Sequence, residues 1–333
     1  MNGYVPFAEA TATQADALAT AIVRVRNEVL HQQAAGSLAG AGPVFLAIGA
    51  SLAAAAAPVW ELRARGIDAS RLGSGDTPLP LPGSDRTIVA ISQSGRSSET
   101  IAAFETVPVP LRYAVVNTRP SPLADLSSAS LDLGSIPDSY ASTIGYTATI
   151  AGLALLGEAW NGGELDPSWA ELADVFRRLE TTLDTAAASD HFEGAPGADF
   201  IGGGASVGSA EAGALLLREV ARVPASAMST RQYLHGAMES AGEGVTVLFG
   251  DTREIEVARM LARADHRVVL VTSSDIDAPG VVTIHLPQLR ASQRAILEAL
   301  VLQRIAGDVA RRRGIEIEEF VFSHDDTKVG SPE

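Results

Sequence analysis

Residues 89–101 read Val-Ala-Ile-Ser-Gln-Ser-Gly-Arg-Ser-Ser-Glu-Thr-Ile. The apolar run 87–91 ends in a loop of hydroxyls, one amide and one glycine, after which Glu99, Ala102, Ala103 and Phe104 open a helical pattern. A strand that passes through such a loop into a helix N-terminus aims unpaired N–H groups at one point. The helix dipole adds partial positive charge there, which suits a phosphate. Ser92, Ser94, Ser97 and Ser98 can each donate a hydroxyl hydrogen bond, and Gln93 can donate its amide. The loop holds no lysine, so it is not a Walker loop. On composition alone, a serine-rich turn with an ordinary helix cap reads the same way. A second turn of this kind, Gly49-Ala50-Ser51, follows the apolar run 43–48 and precedes an alanine-rich helical stretch, 52–65. Gly49 permits a tight turn there, and Ser51 stands where a helix begins.

The elements that must hold these residues are legible from pattern. The chain has 333 residues, 46% of them hydrophobic and 20% charged, enough for two domains of ordinary size. A net charge of −15 argues against a nucleic-acid surface, which needs clustered Lys and Arg. The same charge means that a phosphorylated ligand must be held by local dipoles and hydroxyls against an unfavourable overall field. With no cysteine, disulfides, thiolate nucleophiles and Cys-ligated zinc are excluded. The first residues lack the basic and apolar regions of a signal peptide, and a cytoplasmic location is expected. The uncharged stretch 33–60 is broken by glycines and prolines, so it reads as strand, turn and helix rather than a membrane span. Residues 8–33 have helical spacing, with Leu18, Ile22, Val25 and Val29 on one face. Residues 113–116 form another apolar strand, 148–159 an apolar helix and 167–188 a linking helix.

The second half repeats the first. Residues 200–206, Phe-Ile-Gly-Gly-Gly-Ala-Ser, echo 46–51, with Gly204 and Ser206 each 155 beyond Gly49 and Ser51 (204 − 49 = 155; 206 − 51 = 155). Such a period implies two copies of one strand–turn–helix domain. The second counterpart of the serine loop, 247–252, has lost its serines and gained Asp251, so only the first copy is expected to bind phosphate. The triple glycine 202–204 does not fit a dinucleotide fingerprint, because Val207 stands where the third glycine is needed. The alternation of strand and helix signals indicates α/β architecture with parallel sheets covered on both faces. The boundaries read as an N-terminal helical segment, 1–34, a first domain, 35–188, and a second domain with the C-terminal tail, 189–333.

Ser-Gln-Ser-Gly followed by serine and an acid resembles the sugar-phosphate loop of the sugar isomerase (SIS) domain family. Within that family the chain is similar, over nearly its whole length, to the isomerase half of glucosamine-6-phosphate synthase and to stand-alone deaminase-like proteins. The resemblance implies two tandem SIS domains, each a doubly wound parallel sheet flanked by helices. It implies that Gly49, Ser51, Ser92, Gln93, Ser94 and Ser97 bind the sugar phosphate. Residues 141–147 resemble the family's Ala-Ser-Thr-Lys-x-Phe/Tyr-Thr segment, which implies that Ser142 faces the sugar; Ile144 stands where the family has lysine. Glu219 and His235, sixteen residues apart, match the family's proton-transfer glutamate and ring-opening histidine. In the relatives that histidine comes from a neighbouring subunit, so a homodimer is implied. Lys328 corresponds to a tail lysine that forms a Schiff base with the open-chain sugar. Ala212 and Leu216 stand where the relatives carry a glutamate and a lysine, and Glu211 is one residue out of register.

These readings converge on an aminosugar-6-phosphate isomerase or deaminase that transfers a proton between C1 and C2 and needs no cofactor or metal. With no amidotransferase domain and no cysteine, synthesis from glutamine is disfavoured. Two alternatives stay open: a dehydratase or lyase acting on an N-acetylated sugar phosphate with the same base, and a sugar-phosphate sensor without turnover. The expected ligand is a sugar phosphate; no nucleic acid or membrane partner is expected.

Overall fold

A computed structural model describes residues 4–83, 85–276, 278–322 and 326–330. The chain divides into two compact units, one running to Ala173 and joined by the tail from Phe320, the other Asp174–Glu319. The boundary read between residues 188 and 189 thus lies inside the second unit. The tail groups with the first because residues 326–330 hydrogen-bond to residues 96–98 of that unit.

The first unit is built on a five-stranded sheet: β1 (Val44–Ala47), β2 (Ser70–Gly73), β3 (Ile88–Ser92), β4 (Arg112–Val116) and β5 (Ala129–Asp132). Their order is β2-β1-β3-β4-β5 and every pairing is parallel, with Val44 opposite both Ser70 and Ile88. All five residues of β3 are buried, the pattern of a strand covered on both faces. One face packs Leu46, Ile88, Ala90, Ala114 and Val116 against Ile101 and Phe104 of the helix Ser98–Glu105. The helix Ile144–Ala159 is buried along its full length. It is apolar all round because the N-terminal helix Phe7–Ala34 and the helices after β1 pack against it. Its one buried acid, Glu158, accepts hydrogen bonds from Trp169 Nε1 at 3.1 Å and the Asp166 amide at 2.9 Å, as a buried carboxylate requires.

The second unit repeats this order in its own sheet. Its strands are β6 (Ala198–Gly202), β7 (Ala225–Ser229), β8 (Val245–Phe249), β9 (Arg267–Thr272) and β10 (Val282–His285), arranged β10-β9-β8-β6-β7 and all parallel. Read from the other edge, this is the connectivity of the first sheet. The period found in the sequence carries β4 onto β9 (267 − 112 = 155).

Local structure departs from the periodic reading at several places. The helix expected at 52–65 is two helices, Gly49–Ala54 and Ala56–Ala64. Pro58 has no N–H to give the Ala54 carbonyl, which breaks the ladder at Ala55. The linking helix 167–188 is three pieces, Pro167–Ala170, Leu172–Thr182 and Ala186–Asp190. The four-residue strands β2, β5 and β10 sit at or beside sheet edges, half-buried, and too short to show an alternation. Among the described residues, no helix is long and apolar enough to cross a membrane.

Helix Val207–Ala221 packs on helix Ala291–Arg312 and on β6 within the second unit. A Cβ at Gly213 would lie 2.5 Å from Leu302 Cδ2 and 2.7 Å from Phe200 Cδ1, both on buried side chains. Gly213→Ala should therefore destabilise: overpacking costs about 1–3 kcal/mol, more than the roughly 1 kcal/mol gained in helix propensity. A urea titration should show a lower midpoint, and a midpoint at or above that of the parent would refute the packing argument.

Candidate active site

In an open parallel sheet, the loops on either side of the point where strand order reverses leave in opposite directions, and a crevice opens at the strand ends between them. In the first unit that point lies between β1 and β3. The two hydroxyl turns singled out in the sequence follow those two strands. Gly49 takes φ +58° and starts the helix that carries Ser51. The serine loop follows β3 directly and feeds the helix Ser98–Glu105.

The loop is held by its own bonds. Ser92 Oγ lies 3.0 Å from Ser97 Oγ, and the Gly95 amide donates to the Ser92 carbonyl at 3.0 Å. Gly95 has φ +63°, and a Cβ there would fall 2.2 Å from Ser121 Oγ. Both conformation and space therefore demand glycine. The Gln93 carbonyl accepts from the amides of Asn117 and Thr118 at the end of β4. Among the described residues, the hydroxyls of Ser51 and Ser94 have no hydrogen-bond partner, which leaves them to a ligand.

Two neighbours of this loop were not singled out in the sequence. Asp138, buried, accepts from the amides of Ser139, Thr143, Ile144 and Gly145 at the start of the Ile144 helix. It also accepts from the hydroxyls of Thr143 (2.6 Å) and Ser142 (3.1 Å) and from Gln93 Nε2 (3.2 Å). An acid a few residues before a helical run is a capping signal that could have been read. Arg96 is the other. Its carbonyl accepts from the Val329 amide at 2.9 Å, and its guanidinium donates to the Gly330 carbonyl at 2.7 Å. The Ser98 amide donates to the Thr327 carbonyl at 3.1 Å, and the Ser98 hydroxyl to the Asp326 carbonyl at 2.6 Å. Lys328 thereby forms an antiparallel bridge with Ser97, so the tail lysine lies against the serine loop. One donor at this helix start, the Ser98 amide, is consequently used by the tail rather than left open.

The second unit carries the other two sequence candidates. Glu219 lies in the last turn of helix Val207–Ala221, half-buried, and burial pushes its carboxyl up to about 7. Ala212 and Leu216 on the same helix are buried. His235 is exposed, follows the short helix Thr230–Leu234 and precedes Gly236 at φ +128°. No hydrogen bond or ion pair among the described residues joins His235 to Glu219.

The reversal point of the second sheet, between β6 and β8, is filled by the chain itself. Arg294 pairs with Asp251 and, at 2.8 Å, with Glu298, which also accepts from Ser206 and Ser209. Burial opposes the charge on Asp251. Hydrogen bonds from Ser273 and Thr272 and the Arg294 guanidinium nevertheless hold its carboxyl down at about 2. The Glu254 carboxyl lies so close to Gly203 and Gly250 that a Cβ on either would overlap it.

Comparison with known proteins agrees with this picture. The chain is 24% identical over 261 residues to glutamine–fructose-6-phosphate aminotransferase (isomerizing) of Chlorobaculum tepidum, and 27% over 271 residues to that of Bradyrhizobium diazoefficiens. Each match takes in 72% of this chain but only 42% and 43% of the relative, so the chain spans about four-tenths of their length. No family model matches. The C-terminal domain of glucosamine–fructose-6-phosphate aminotransferase from Francisella tularensis superposes with a TM-score of 0.77 at 17% identity, covering 95% of this chain and 98% of that one.

The chain resembles the isomerizing aminotransferases in sequence and the sugar isomerase (SIS) proteins in fold.

Tagatose-6-phosphate ketose/aldose isomerase from Escherichia coli shares the fold at a TM-score of 0.75 and 18% identity, covering 93% of this chain and 96% of that one. Glucosamine-6-phosphate deaminase from Thermotoga maritima does so at 0.67 and 14%, covering 92% and 96%. In this chain the structure brings Gly49, Ser51, Ser92, Gln93, Ser94, Ser97, Ser142 and Lys328 into one unit around the β1/β3 strand ends. Glu219 and His235 belong to the other unit.

Glu219 carries a testable strain. Because its folded-state pKa of about 7 stands above its ordinary 4.5, the folded protein holds the proton more tightly than the unfolded chain. Stability must then fall as pH rises from about 4.5 to about 7 and stay low above that. Glu219→Gln removes the charge, so its thermal midpoint should exceed the parent's at pH 8 and converge with it near pH 4.5. A gap that does not change with pH would mean the carboxyl is not desolvated.

Proposed function

We propose that this chain is an aldose–ketose isomerase of an aminosugar 6-phosphate, with or without release of the amine. The observation that carries this reading is the backbone bridge between Ser97 and Lys328, which brings a lysine residue beside a loop suited to phosphate. The loop and Ser51 hold the phosphate; Lys328 condenses with the open-chain carbonyl, releasing water, and water then hydrolyses that Schiff base, returning the free lysine and the open-chain aldehyde before the proton moves. Glu219 takes the proton from C2 and a proton is returned at C1. With an amine at C2, the resulting imine is hydrolysed by water to the ketose and ammonia. His235 assists ring opening, contributed by a second copy. A carboxyl raised by burial to about 7 suits a general base.

A second reading draws support from Ala212 and Leu216. Both are buried and apolar where the resemblance expects an acid and a lysine, so the chain lacks part of the amine-handling set. The same base taking the C2 proton of an open-chain N-acetylated sugar phosphate would yield an enolate bearing the acetamido group, which expels its C3 substituent as water or an alcohol. Incubation with glucosamine 6-phosphate and with its N-acetyl form, followed by mass analysis of products, separates the two readings; no product from either would favour the sensor.

Ser51→Ala with Ser94→Ala removes two hydroxyls that lack protein partners, so fold stability should be unchanged. Affinity for the sugar 6-phosphate should fall by about 1–3 kcal/mol, the cost of ligand oxygens left unsatisfied. Calorimetry showing equal affinity for phosphorylated and unphosphorylated sugar in the parent would sink the phosphate assignment.

Glu219→Gln should bind substrate yet turn it over roughly 10²–10⁴-fold more slowly, the usual contribution of a positioned acid–base group. In the parent, kcat/KM should rise with pH through about 7 as Glu219 ionises. Wild-type turnover in the variant would move the base elsewhere.

A further inference from the structure

Gln93 was read as a phosphate donor, but its surroundings give it the opposite polarity. Its Nε2 donates to Asp138 Oδ2 at 3.2 Å and to Ser142 Oγ at 3.0 Å, and the Ser142 hydroxyl in turn donates to Asp138 at 3.1 Å. Asp138 already receives backbone N–H groups, which can only donate, on both of its oxygens. Its oxygens are therefore acceptors, and the side of the Gln93 amide that faces them must be the NH₂. Both amide hydrogens are thus used within the protein, and Oε1 is left with no partner among the described residues. Gly145 makes the arrangement possible: a Cβ there would lie 1.2 Å from Gln93 Nε2. The start of the Ile144 helix, which would otherwise attract an anion, is neutralised by the same carboxylate.

We propose that Asp138 is a specificity-determining positioning residue that locks Gln93 with its carbonyl oxygen toward the ligand, so that this side of the site accepts hydrogen bonds from a sugar hydroxyl or ammonium and rejects a second anionic group. The inference rests on the sugar-phosphate reading above and refines it: phosphate belongs to the hydroxyls of the serine loop and Ser51, while Gln93 and Ser142 read the sugar. Ser142, with its proton given to Asp138, also has only acceptor capacity left.

The test is calorimetric titration of the parent, Asp138→Asn, Gln93→Leu, Gly145→Ala and the Asp138→Asn/Gln93→Leu double variant with fructose 6-phosphate, fructose 1,6-bisphosphate and inorganic phosphate. Each single variant should weaken fructose 6-phosphate by about tenfold, the worth of one good hydrogen bond, and leave inorganic phosphate unchanged. Asp138→Asn, which keeps a helix cap and lets the amide turn, should also narrow the gap between monophosphate and bisphosphate. Because Asp138 acts through Gln93 and Ser142, its effect should be smaller in the Gln93→Leu background than in the parent. An additive double variant, or equal losses for sugar phosphate and inorganic phosphate, overturns the proposal. Should Asp138→Asn not fold, Gln93→Leu removes the amide and leaves the carboxylate in place, and the same comparison decides. If the parent binds none of the three ligands, the sugar-phosphate reading itself fails; if it binds them and the variants do not discriminate, only this inference fails.

Discussion

The reversal of strand order between β1 and β3 is the constraint on which the first unit's site depends. A parallel strand must hand its chain to a helix on one face or the other, and where neighbouring strands choose opposite sides their ends cannot be covered by the same connection. The two hydroxyl turns occupy that uncovered place. Everything nearby serves to hold backbone there in an open shape: Gly95 and Gly49 at positive φ, the Gln93 carbonyl tied to β4, and the tail paired to residues 96–98.

The second unit shows the same place filled by the chain's own side chains. Its sheet has the same order, so the same gap must arise between β6 and β8. Buried backbone donors cannot stay unsatisfied without cost, and there the chain fills the gap with acids of its own, Glu254 beside Gly203 and Gly250, and the Asp251–Arg294–Glu298 chain of charges beneath Ser206. At the turns themselves the first unit has hydroxyls in place of these acids, two of them without a protein partner among the described residues. This contrast is the strongest internal argument for which copy takes a ligand.

Glu219 shows the opposite compromise. A carboxyl at a helix C-terminus, partly removed from water and in no ion pair among the described residues, is a poor choice for stability. Leu216, one turn earlier, could have carried a compensating lysine and does not. The fold therefore tolerates a destabilised acid whose charge changes near neutral pH, as a proton-transfer role would require.

Much of the architecture was legible because it rests on local pattern. The 155-residue period, the apolar runs of β1, β3, β4, β8 and β9, and the glycine and serine turns after two strands follow from residue type and spacing, which determine where strands end and where φ must be positive. Edge strands of four half-buried residues left no alternation to read, and Pro58 cut a helix that composition alone had joined. The site's polarity was not legible at all. Gln93 carries a donor and an acceptor in one side chain, and only Asp138, forty-five residues away, decides which faces out. Lys328 lies beside Ser97 through a pairing across more than two hundred residues, and the Glu219 carboxyl is raised by what surrounds it in space. The sequence by itself determined the repeated sheet and the hydroxyl turns, because strand and turn formation are governed by near neighbours. Tertiary structure alone decided hydrogen-bond direction, desolvation and the docking of the tail, because these depend on groups that the chain brings together only once it is folded.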